Sequence, residues 1–362
     1  MKKLIIEKDK LKQNIETVKK MTDSTIIAVL KGNGYGLGIL EFARLLAETS
    51  INFFAVSEIE EALCLRNSGI DCKILLLTST CMVNEAELLI KNGIIPTVGS
   101  PYSAAAVNEA AAKADAVVDV HLKIDTGFGR FGFFWDEAGP MCNLLKSMEN
   151  IKVTGTYSHL SFAFEKKPRS VYAQFEKFLK CAKAMREAGI DPGMLHLSNS
   201  CAYLRFPALH LDAVRVGSAF LGRLPLENRY GLNRIGYLKS NIIEVKELPK
   251  GSCIGYANTY KTPGITRIGI VPVGYMDGFG VEKSRDTFRY RDILRYIYND
   301  LKSINKKLHA KLSDKTRVRI LGRISMYNIV IDLTETDASI GDEVFLEANP
   351  VLVKSTIERE YV

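Results

Sequence analysis

The stretch Ile26–Gly38, IIAVLKGNGYGLG, joins a short apolar run to a lysine and a glycine-rich turn. An apolar run of this length between turn residues is typical of a buried strand in a parallel sheet. Seven further runs follow, separated by longer segments with helical spacing: FFAVS (53–57), KILLLT (73–78), IIPTV (94–98), VDVHLKI (118–124), VTGTYS (153–158), MLHLS (194–198) and AVRVG (213–217). Eight such βα units in about 200 residues predict an α/β fold whose N-terminal domain, residues 1–235, is a (β/α)8 barrel.

The pattern changes after about residue 236, where strands follow one another without helices between them. The strand-like segments are YLKSNIIEV (237–245), ITRIGIVPVGY (265–275), TRVRILGRISMYNIVIDLT (316–334) and DEVFLE (342–347). Alternating strands of this kind are typical of antiparallel sheets. The sequence therefore predicts a second, mainly antiparallel β domain over residues 236–362.

A basic segment at about 282–315 interrupts this second domain. Its apolar residues recur at helical spacing: Leu294, Ile297, Tyr298, Leu301, Ile304 and Leu308. A basic amphipathic helix can touch nucleic acid or a membrane. The alternative, which we favour from the sequence, is a surface helix packed on its own domain.

Composition narrows the class of protein. The chain has 362 residues, 47% hydrophobic and 25% charged, and a formal charge of +8, which permits attraction to anions. No apolar run approaches the roughly 18 residues of a membrane span, and the N-terminus lacks the apolar core of a signal peptide. Seven cysteines and five histidines are dispersed without metal-ligand spacing. We expect a cytoplasmic protein with no metal, no membrane partner and, without a recognition motif, no nucleic-acid partner.

Polar residues follow the predicted strands where each one ends. They are Lys31 after the first strand, Lys123, Asp125 and Arg130 at the fifth, His159 after the sixth, Asn199 and Ser200 after the seventh, and Gly217 and Ser218 after the eighth. The chemistry of (β/α)8 barrels lies at the carboxyl ends of the strands. These residues therefore predict one site.

The nature of that site depends first on Lys31. A lysine buried at a strand end tends to lose its proton and become a nucleophile, although such a lysine can equally extend to solvent. The last two loops, SNS (198–200) and RVGSAFLG (215–222), supply hydroxyls and open backbone N–H groups at the usual phosphate site of a barrel. Together they predict a phosphorylated aldehyde held by Lys31 as a Schiff base, which is pyridoxal phosphate.

Arg215 points inward from the last predicted strand and is our candidate partner for the ring nitrogen of that cofactor. Because an arginine stays charged, it donates to an unprotonated nitrogen and weakens the ring as an electron sink. Such a site suits simple removal and return of a proton. The alternative is an ion pair of Arg215 with Asp212 or another core acid.

Four segments of the barrel resemble motifs of the alanine racemase family, fold-type III pyridoxal-phosphate enzymes: AVLKGNGYGLG (28–38), HLKIDTGFGRFGF (121–133), HLSNSCA (196–202) and VRVGSAFLG (214–222). The resemblance implies that Lys31 carries the cofactor and that Tyr35 reaches its phosphate. It also implies that Arg130 meets the cofactor hydroxyl and the substrate carboxylate. Lys123 matches a lysine that is carbamylated in many members. The remaining cofactor contacts fall on His159, Asn199, Ser200, Arg215, Gly217 and Ser218.

The second domain carries the resemblance further, in IGYANTY (254–260) and VPVGYMDGFG (271–280). These segments imply that Tyr256 is the second acid/base and that Tyr275 lines the substrate entrance, both in the partner subunit of a head-to-tail homodimer. Met326 keeps the family's substrate-side methionine, but Tyr327 stands where an aspartate is common. Tyr361 is a candidate for closing the site.

The expected function is thus racemisation of alanine by two bases, Lys31 and Tyr256, for D-alanine biosynthesis. Serine or a larger amino acid stays open as the substrate because of Tyr327. Decarboxylases of basic amino acids on a similar barrel place an acid at the ring nitrogen, which disfavours them here. Non-catalytic barrels that bind pyridoxal phosphate generally lack a second β domain.

Overall fold

The computed structural model describes residues 2–304 and 306–362. The chain divides into two compact units. One unit is Lys8–Ile235, and the other combines residues 2–7 with Gly236–Val362.

The unit Lys8–Ile235 is a closed parallel barrel. After β1 (Lys3–Ile6), which belongs to the other unit, its strands are β2 (Thr25–Val29), β3 (Phe53–Val56), β4 (Lys73–Ser79), β5 (Ile95–Val98), β6 (Val118–Asp125), the short β7 (Phe133–Phe134), β8 (Ile151–Tyr157), β9 (Met194–His196) and β10 (Ala213–Val216). Eight of them pair in the order β5-β4-β3-β2-β10-β9-β8-β6, and β5 pairs with β6 to close the ring. All eight predicted strands and the predicted barrel are confirmed.

Helical segments connect the strands, and the longer ones pack against the outside of the barrel. They are α1 (Lys8–Lys19), α2 (Lys31–Tyr35), α3 (Ile39–Glu48), α4 (Ile59–Asn67), α5 (Val83–Lys91), α6 (Pro101–Lys113), α7 (Ala138–Lys146), α8 (Arg169–Glu187) and α9 (Ser200–Arg205), followed by a 3-10 turn at Pro207–Leu209. A large apolar cluster lies between strands and helices, and includes Val120, Phe178 and Met185. A smaller cluster includes Ile27, Phe53 and Leu75.

The second unit is built on a nine-stranded sheet. Its elements are β11 (Tyr237–Asn241), β12 (Glu244–Leu248), β13 (Cys253–Ile254), β14 (Tyr260–Lys261), β15 (Thr266–Val271), α10 (Tyr290–Ser303), β16 (His309–Leu312), β17 (Arg317–Leu321), β18 (Ile329–Asp332), β19 (Glu343–Glu347) and β20 (Glu358–Tyr361), with 3-10 turns at Tyr256–Asn258, Tyr275–Asp277 and Pro350–Leu352. The strand order is β12-β15-β18-β17-β16-β19-β11-β1-β20, and β13 pairs with β14 in a separate hairpin. The pairing is antiparallel except between β1 and β20. The predicted β domain is confirmed.

Two segments lie elsewhere than the sequence suggested. Residues 2–7 were assigned to the barrel, but β1 inserts between β11 and β20 of the second unit because its apolar residues Leu4 and Ile6 are buried there. The helix of the insertion 282–315 is shorter than the apolar pattern predicted. Helix α10 ends at Ser303, so Leu308 lies outside it, just before strand β16.

Helix α10 also differs in its packing. Its one buried residue is Asp292, whereas Leu294, Ile297 and Leu301 of the predicted apolar stripe are exposed. The prediction that this stripe packs on its own domain is therefore wrong. Asp292 is covered by arginines of its own segment, because its carboxylate pairs with Arg289, just before the helix, and with Arg295 one turn along it.

Candidate active site

A cavity of about 470 Å³ lies in the barrel unit, where the strands end. It is lined by all ten barrel residues with predicted site roles: Lys31, Tyr35, Lys123, Arg130, His159, Asn199, Ser200, Arg215, Gly217 and Ser218. The volume falls within the range of small-molecule sites. The structure thus brings the predicted barrel residues together, and their individual roles remain predictions.

The lysine-bearing segment α2 is a left-handed turn. Gly32, Asn33, Gly34 and Tyr35 all have φ between 53° and 64°. L-residues with a Cβ rarely adopt this conformation, which explains the two glycines and the asparagine. The Asn33 Oδ1 also accepts the backbone N–H of Ile39 at 2.9 Å, which ties the turn to α3.

Lys31 sits at the mouth of the cavity and is exposed, not buried as the strand-end prediction had it. Even so, desolvation by the cavity walls, together with the charge of Arg130 and to a smaller extent of Arg215, lowers the pKa of Lys31. The Glu61 carboxylate opposes this shift. Glu61 is held in place because it accepts the backbone N–H groups of Asn33 and Ser57. The amine is thus both accessible and easier to deprotonate than an ordinary lysine.

Tyr35 and Gly217 form a close contact at one end of the cavity. A Cβ at Gly217 would lie 2.5 Å from the Tyr35 hydroxyl and ring, so that only glycine fits. The Ser200 Oγ accepts the Gly217 N–H at 3.0 Å, and Ser218 lies next in the chain. This end of the cavity is therefore a cradle of two hydroxyls, a phenol and open backbone, which suits a phosphate group. Burial raises the pKa of Tyr35 to about 12, so the phenol keeps its proton and can donate it.

Asn199 has a structural task beside the cradle. Its Oδ1 accepts the N–H groups of Cys201 and Ala202, which caps α9, and its Nδ2 donates to the Leu160 carbonyl at 3.2 Å. The side chain is thereby fixed at the wall of the cavity.

Arg215 is buried and bonded to carbonyls and imidazoles. Its guanidinium donates to the carbonyls of His196 and Ser158 at 2.9 and 2.6 Å, and to the His196 Nδ1 at 2.9 Å. No acidic side chain among the described residues pairs with it, and Asp212 instead accepts the Leu195 N–H. The ion-pair alternative is therefore wrong. Burial lowers the pKa of Arg215 to about 10, which still leaves it charged at neutral pH.

A chain of two histidines extends behind Arg215. Because the guanidinium only donates, the His196 Nδ1 must accept, and the proton of His196 lies on Nε2. That Nε2 is 2.9 Å from the Nδ1 of His121, which must then accept in turn. Burial and the Arg215 charge lower the pKa of His121 to about 4 and that of His196 well below its usual value. The chain therefore holds both imidazoles neutral, in fixed tautomers.

Tyr157 lies beside two cations of the cavity. The Lys123 Nζ is 4.9 Å and the Arg215 guanidinium 5.0 Å from its ring centroid, and the ring stacks on His196 at 4.8 Å. Lys123 is 5% exposed, and burial followed by the Arg215 charge lowers its pKa well below the usual value. Lys123 is thus a second amine of reduced basicity facing the cavity.

The loop carrying Arg130 is shaped by Asp125. This carboxylate accepts the backbone N–H groups of Gly127, Phe128 and Gly129 at 2.8–2.9 Å. Although burial raises its pKa, these three donors prevail and the pKa of Asp125 is lowered. The Arg130 guanidinium stacks on Phe128, 4.6 Å from the ring centroid, and stays exposed toward the cavity.

His159 joins this wall to Arg215. Its ring lies edge-on to Phe128 at 5.1 Å, and its Nδ1 is 3.4 Å from the Arg215 NH2. Burial and the Arg215 charge lower the pKa of His159 well below its usual value, so it faces the cavity as a neutral imidazole.

Four of the five predicted residues of the second unit lie on exposed turns or bends, and the fifth lies on a strand. Tyr256 is 70% exposed and lies on a turn. The preceding Gly255 packs closely on the backbone of Arg323, because a Cβ added at Gly255 would lie 3.2 Å from the Arg323 nitrogen. The Tyr275 N–H donates to the Ser325 carbonyl at 3.1 Å, next to Met326. Tyr256, Tyr275, Met326 and Tyr327 are all exposed. Tyr361 lies in β20, paired with β1 at the sheet edge.

An ion pair anchors the Tyr275 turn. The Lys2 Nζ donates to both carboxylate oxygens of the buried Asp277 at 2.9 Å, and Asp277 accepts the Gly274 N–H at 3.0 Å. The same Lys2 Nζ lies 5.5 Å from the Tyr327 ring centroid.

Comparison with known families covers both units. The profile "Alanine racemase, N-terminal domain" matches residues 6–225, and "Alanine racemase, C-terminal domain" matches residues 235–358. The alanine racemase of Clostridium tetani is 34% identical over 361 residues, which are 98% of this chain and 87% of that protein. This chain belongs to the alanine racemase family.

Other relatives and solved structures of alanine racemases agree. The alanine racemase of Methanococcus maripaludis is 31% identical over 98% of this chain and 90% of that protein. The alanine racemase of Clostridium difficile 630 superposes with a TM-score of 0.87 at 28% identity, covering 100% of this chain and 95% of that one. That of Streptomyces lavendulae gives 0.86 at 26% identity, with 100% and 97% coverage.

Several residues of this alanine racemase site were missed from the sequence. Glu61, Tyr157, His196 and His121 hold the predicted residues in place. A signal was present for one of them: His121 lies two residues before Lys123 in β6, so both side chains point to the same face of the barrel.

No group of three His, Cys, Asp or Glu side chains within residues 2–304 and 306–362 is arranged to hold a metal ion. No helix of this described part is long and apolar enough to cross a membrane.

Proposed function

We propose that the barrel cavity holds pyridoxal phosphate and interconverts L- and D-alanine. The observation that supports this most strongly is that one cavity contains both Lys31, an accessible lysine of lowered pKa, and Arg215, a buried arginine that pairs with no carboxylate among the described residues. The family membership supports the same reaction and the same cofactor.

The residues present fit this cofactor. In the cradle of Tyr35, Ser200, Gly217 and Ser218, the missing Cβ of Gly217 lets the Tyr35 phenol lie directly against the backbone, and the hydroxyl donors suit the phosphate. Lys31 would bind the aldehyde carbon. Arg215 would donate to the ring nitrogen. When bound, the cofactor stabilises negative charge at the substrate Cα after proton loss.

Arg215 tunes that stabilisation. Since a guanidinium donates and keeps its charge, it leaves the ring nitrogen without a proton of its own. The histidine chain through His196 and His121 holds the guanidinium in this orientation. Weak charge withdrawal favours return of the proton over side reactions that need a long-lived carbanion.

Two proton carriers serve opposite faces of Cα. Lys31 takes or returns the proton on one face, and its lowered pKa makes the neutral amine available. Tyr256 serves the other face. Its 70% exposure in this single chain leaves the phenol accessible to a second copy. We therefore infer a head-to-tail homodimer in which Tyr256, Tyr275 and Met326 of one subunit complete the cavity of the other.

Arg130 binds the substrate carboxylate at the cavity wall. Lys123 provides a means to orient it: carbon dioxide adds to the neutral Lys123 Nζ, an N–C bond forms, one proton leaves, and the carbamate anion faces Arg130. The low pKa of Lys123 favours this step, because only the neutral amine reacts. A carbon-13 NMR signal from protein supplied with labelled bicarbonate, absent in Lys123→Met, would support the carbamate.

We place the protein in the cytoplasm, supplying D-alanine for biosynthesis. Alanine is the proposed substrate, and serine is the second candidate because Tyr327 lies beside the entrance turn, 5.5 Å from the Lys2 amine.

The test is deuterium incorporation at Cα, followed by NMR for separate L-alanine and L-serine samples with holoprotein, and then by chiral analysis. Exchange with inversion of alanine supports the proposal, and faster exchange of serine would shift the substrate assignment. Bound cofactor with exchange of neither alanine nor serine would contradict the proposed reaction. Lys31→Ala serves as the matched inactive control.

A further inference from the structure

Helix α10 presents an apolar stripe to solvent. The stripe consists of Tyr290, Ile293, Leu294, Ile297, Tyr298, Leu301 and, directly after the helix, Ile304, each exposed by between 41% and 76%. Their i, i+3, i+4 and i+7 spacing places them within an arc of about 140° on a helix that turns 100° per residue. Phe288, just before the helix, is 74% exposed as well.

Basic side chains border this stripe along one edge. Arg291, Arg295 and Lys302 follow Tyr298 around the helix, and Lys306 and Lys307 come soon after its end. Arg295 binds Asp292, whereas Arg291 and Lys302 have no acidic partner among the described residues. On the opposite edge, the Asp300 carboxylate is neutralised by Arg285 at 2.6 Å. The free charge beside the stripe is therefore positive.

We propose that the α10 stripe docks this protein on an anionic lipid surface. An amphipathic helix with apolar and aromatic residues on one face and cations at its edge lies in the interface of such a membrane, burying the apolar face while the cations meet lipid phosphates. Tyr290 and Tyr298 suit this depth, because a phenol has an apolar ring and a polar tip. The helix needs no membrane-spanning length for this.

Other occupants fit the charges less well. A nucleic acid would meet the cations but leave the apolar stripe uncovered. A second copy docked through the same stripe would bring the unpaired Arg291 and Lys302 of both copies toward one another. An anionic lipid surface would both bury the apolar stripe and pair with the cations beside it. It is independent of the proposed racemase activity, since none of these residues lines the barrel cavity.

The test is co-sedimentation of the holoprotein with vesicles of phosphatidylglycerol and phosphatidylcholine, compared with phosphatidylcholine alone. We expect binding to the anionic vesicles that weakens as salt is raised. Arg291→Glu/Lys302→Glu should lower the partition coefficient by at least about tenfold. The matched control Lys180→Glu/Arg186→Glu, with the same charge change on exposed residues of α8, should bind like wild type.

A second pair of variants tests the contribution of the apolar stripe to vesicle binding. Ile297→Ser/Leu301→Ser should lose most vesicle binding, whereas Leu88→Ser/Leu179→Ser, two exposed leucines on barrel helices, should keep it. Racemase activity and sedimentation mass in solution should be the same in all four variants. Absence of vesicle binding, equal binding to neutral vesicles, or a stripe variant with a smaller mass than wild type would overturn the proposal, the last in favour of a second copy.

Discussion

Two lysines of reduced basicity face one cavity, and they differ in access. Lys31 is exposed at its mouth, whereas Lys123 is nearly buried against the Tyr157 ring. A nucleophile needs both a neutral amine and a path for the aldehyde. We therefore expect the cofactor on Lys31 and only a smaller reactant, such as carbon dioxide, on Lys123.

Gly217→Ala tests the phosphate cradle. The added Cβ would lie 2.5 Å from the Tyr35 hydroxyl, so the phenol must move and cofactor affinity should fall by at least about tenfold. Gly139→Ala is the matched control, because a Cβ there meets nothing within 4 Å. Fluorescence titration of the cofactor-free protein measures both affinities. Unchanged affinity of Gly217→Ala would contradict the cradle.

His121→Asn tests the histidine chain through pH. Burial lowers the pKa of His121 to about 4 from 6.5, so below pH 6.5 the unfolded chain binds a proton that the folded chain refuses, and stability falls with pH until about 4. Between pH 7 and 5 this group should cost wild type about 2 kcal/mol. The variant keeps an acceptor for His196 but lacks this cost. Urea unfolding followed by the single tryptophan, Trp135 in the barrel, measures the difference. Parallel pH profiles would contradict the neutral-imidazole assignment.

The left-handed turn α2 shows how an element serves the site. Five consecutive residues of positive φ, Gly32 to Gly36, turn the chain from the end of β2 back toward the cradle, with Lys31 before the turn and Tyr35 within it. A right-handed helix would be the default for L-residues, and three glycines and an asparagine make the left-handed turn less costly.

Asn33→Ala and Asn33→Gly separate the two contributions of this turn. The Asn33→Ala variant loses both the hydrogen bond to the Ile39 N–H and the tolerance of positive φ. Its free energy of unfolding should therefore fall by about 2–3 kcal/mol. The Asn33→Gly variant loses mainly the hydrogen bond, so its free energy of unfolding should fall by about 1 kcal/mol. Trp135 fluorescence in urea again gives both values. Equal losses would mean that backbone conformation contributes nothing here.

The positions of the strands along the chain were easier to predict than the segments that each strand contacts. The eight barrel strands were predictable because each is a short apolar run between turn residues. Residues 2–7, which contain β1, were assigned to the barrel because local sequence says nothing about which sheet an apolar run joins. The His121–His196–Arg215 chain needed three strands in register, and the exposed stripe of α10 has the same spacing as a buried one. Contacts between distant segments are what the sequence alone lacks.

At the scale of the whole molecule, the proposed bases lie in different units. Lys31 belongs to the barrel, and Tyr256 belongs to the sheet unit. If Tyr256 acts in the partner's cavity, Lys31→Ala and Tyr256→Phe should each be nearly inactive alone. Co-expressed, they should form one intact site per mixed dimer and recover up to about a quarter of wild-type activity by random pairing. No recovery from purified mixed dimers would mean that both bases act within one chain.

Reduction of the holoprotein with borohydride, followed by peptide mass mapping, tests directly whether Lys31 carries the cofactor. Reduction fixes the cofactor to the amine that carries it. We expect the pyridoxyl mass on the peptide that contains Lys31, with none on the peptide that contains Lys123. A label on Lys123, or on neither lysine, would contradict the assignment of the cofactor to Lys31.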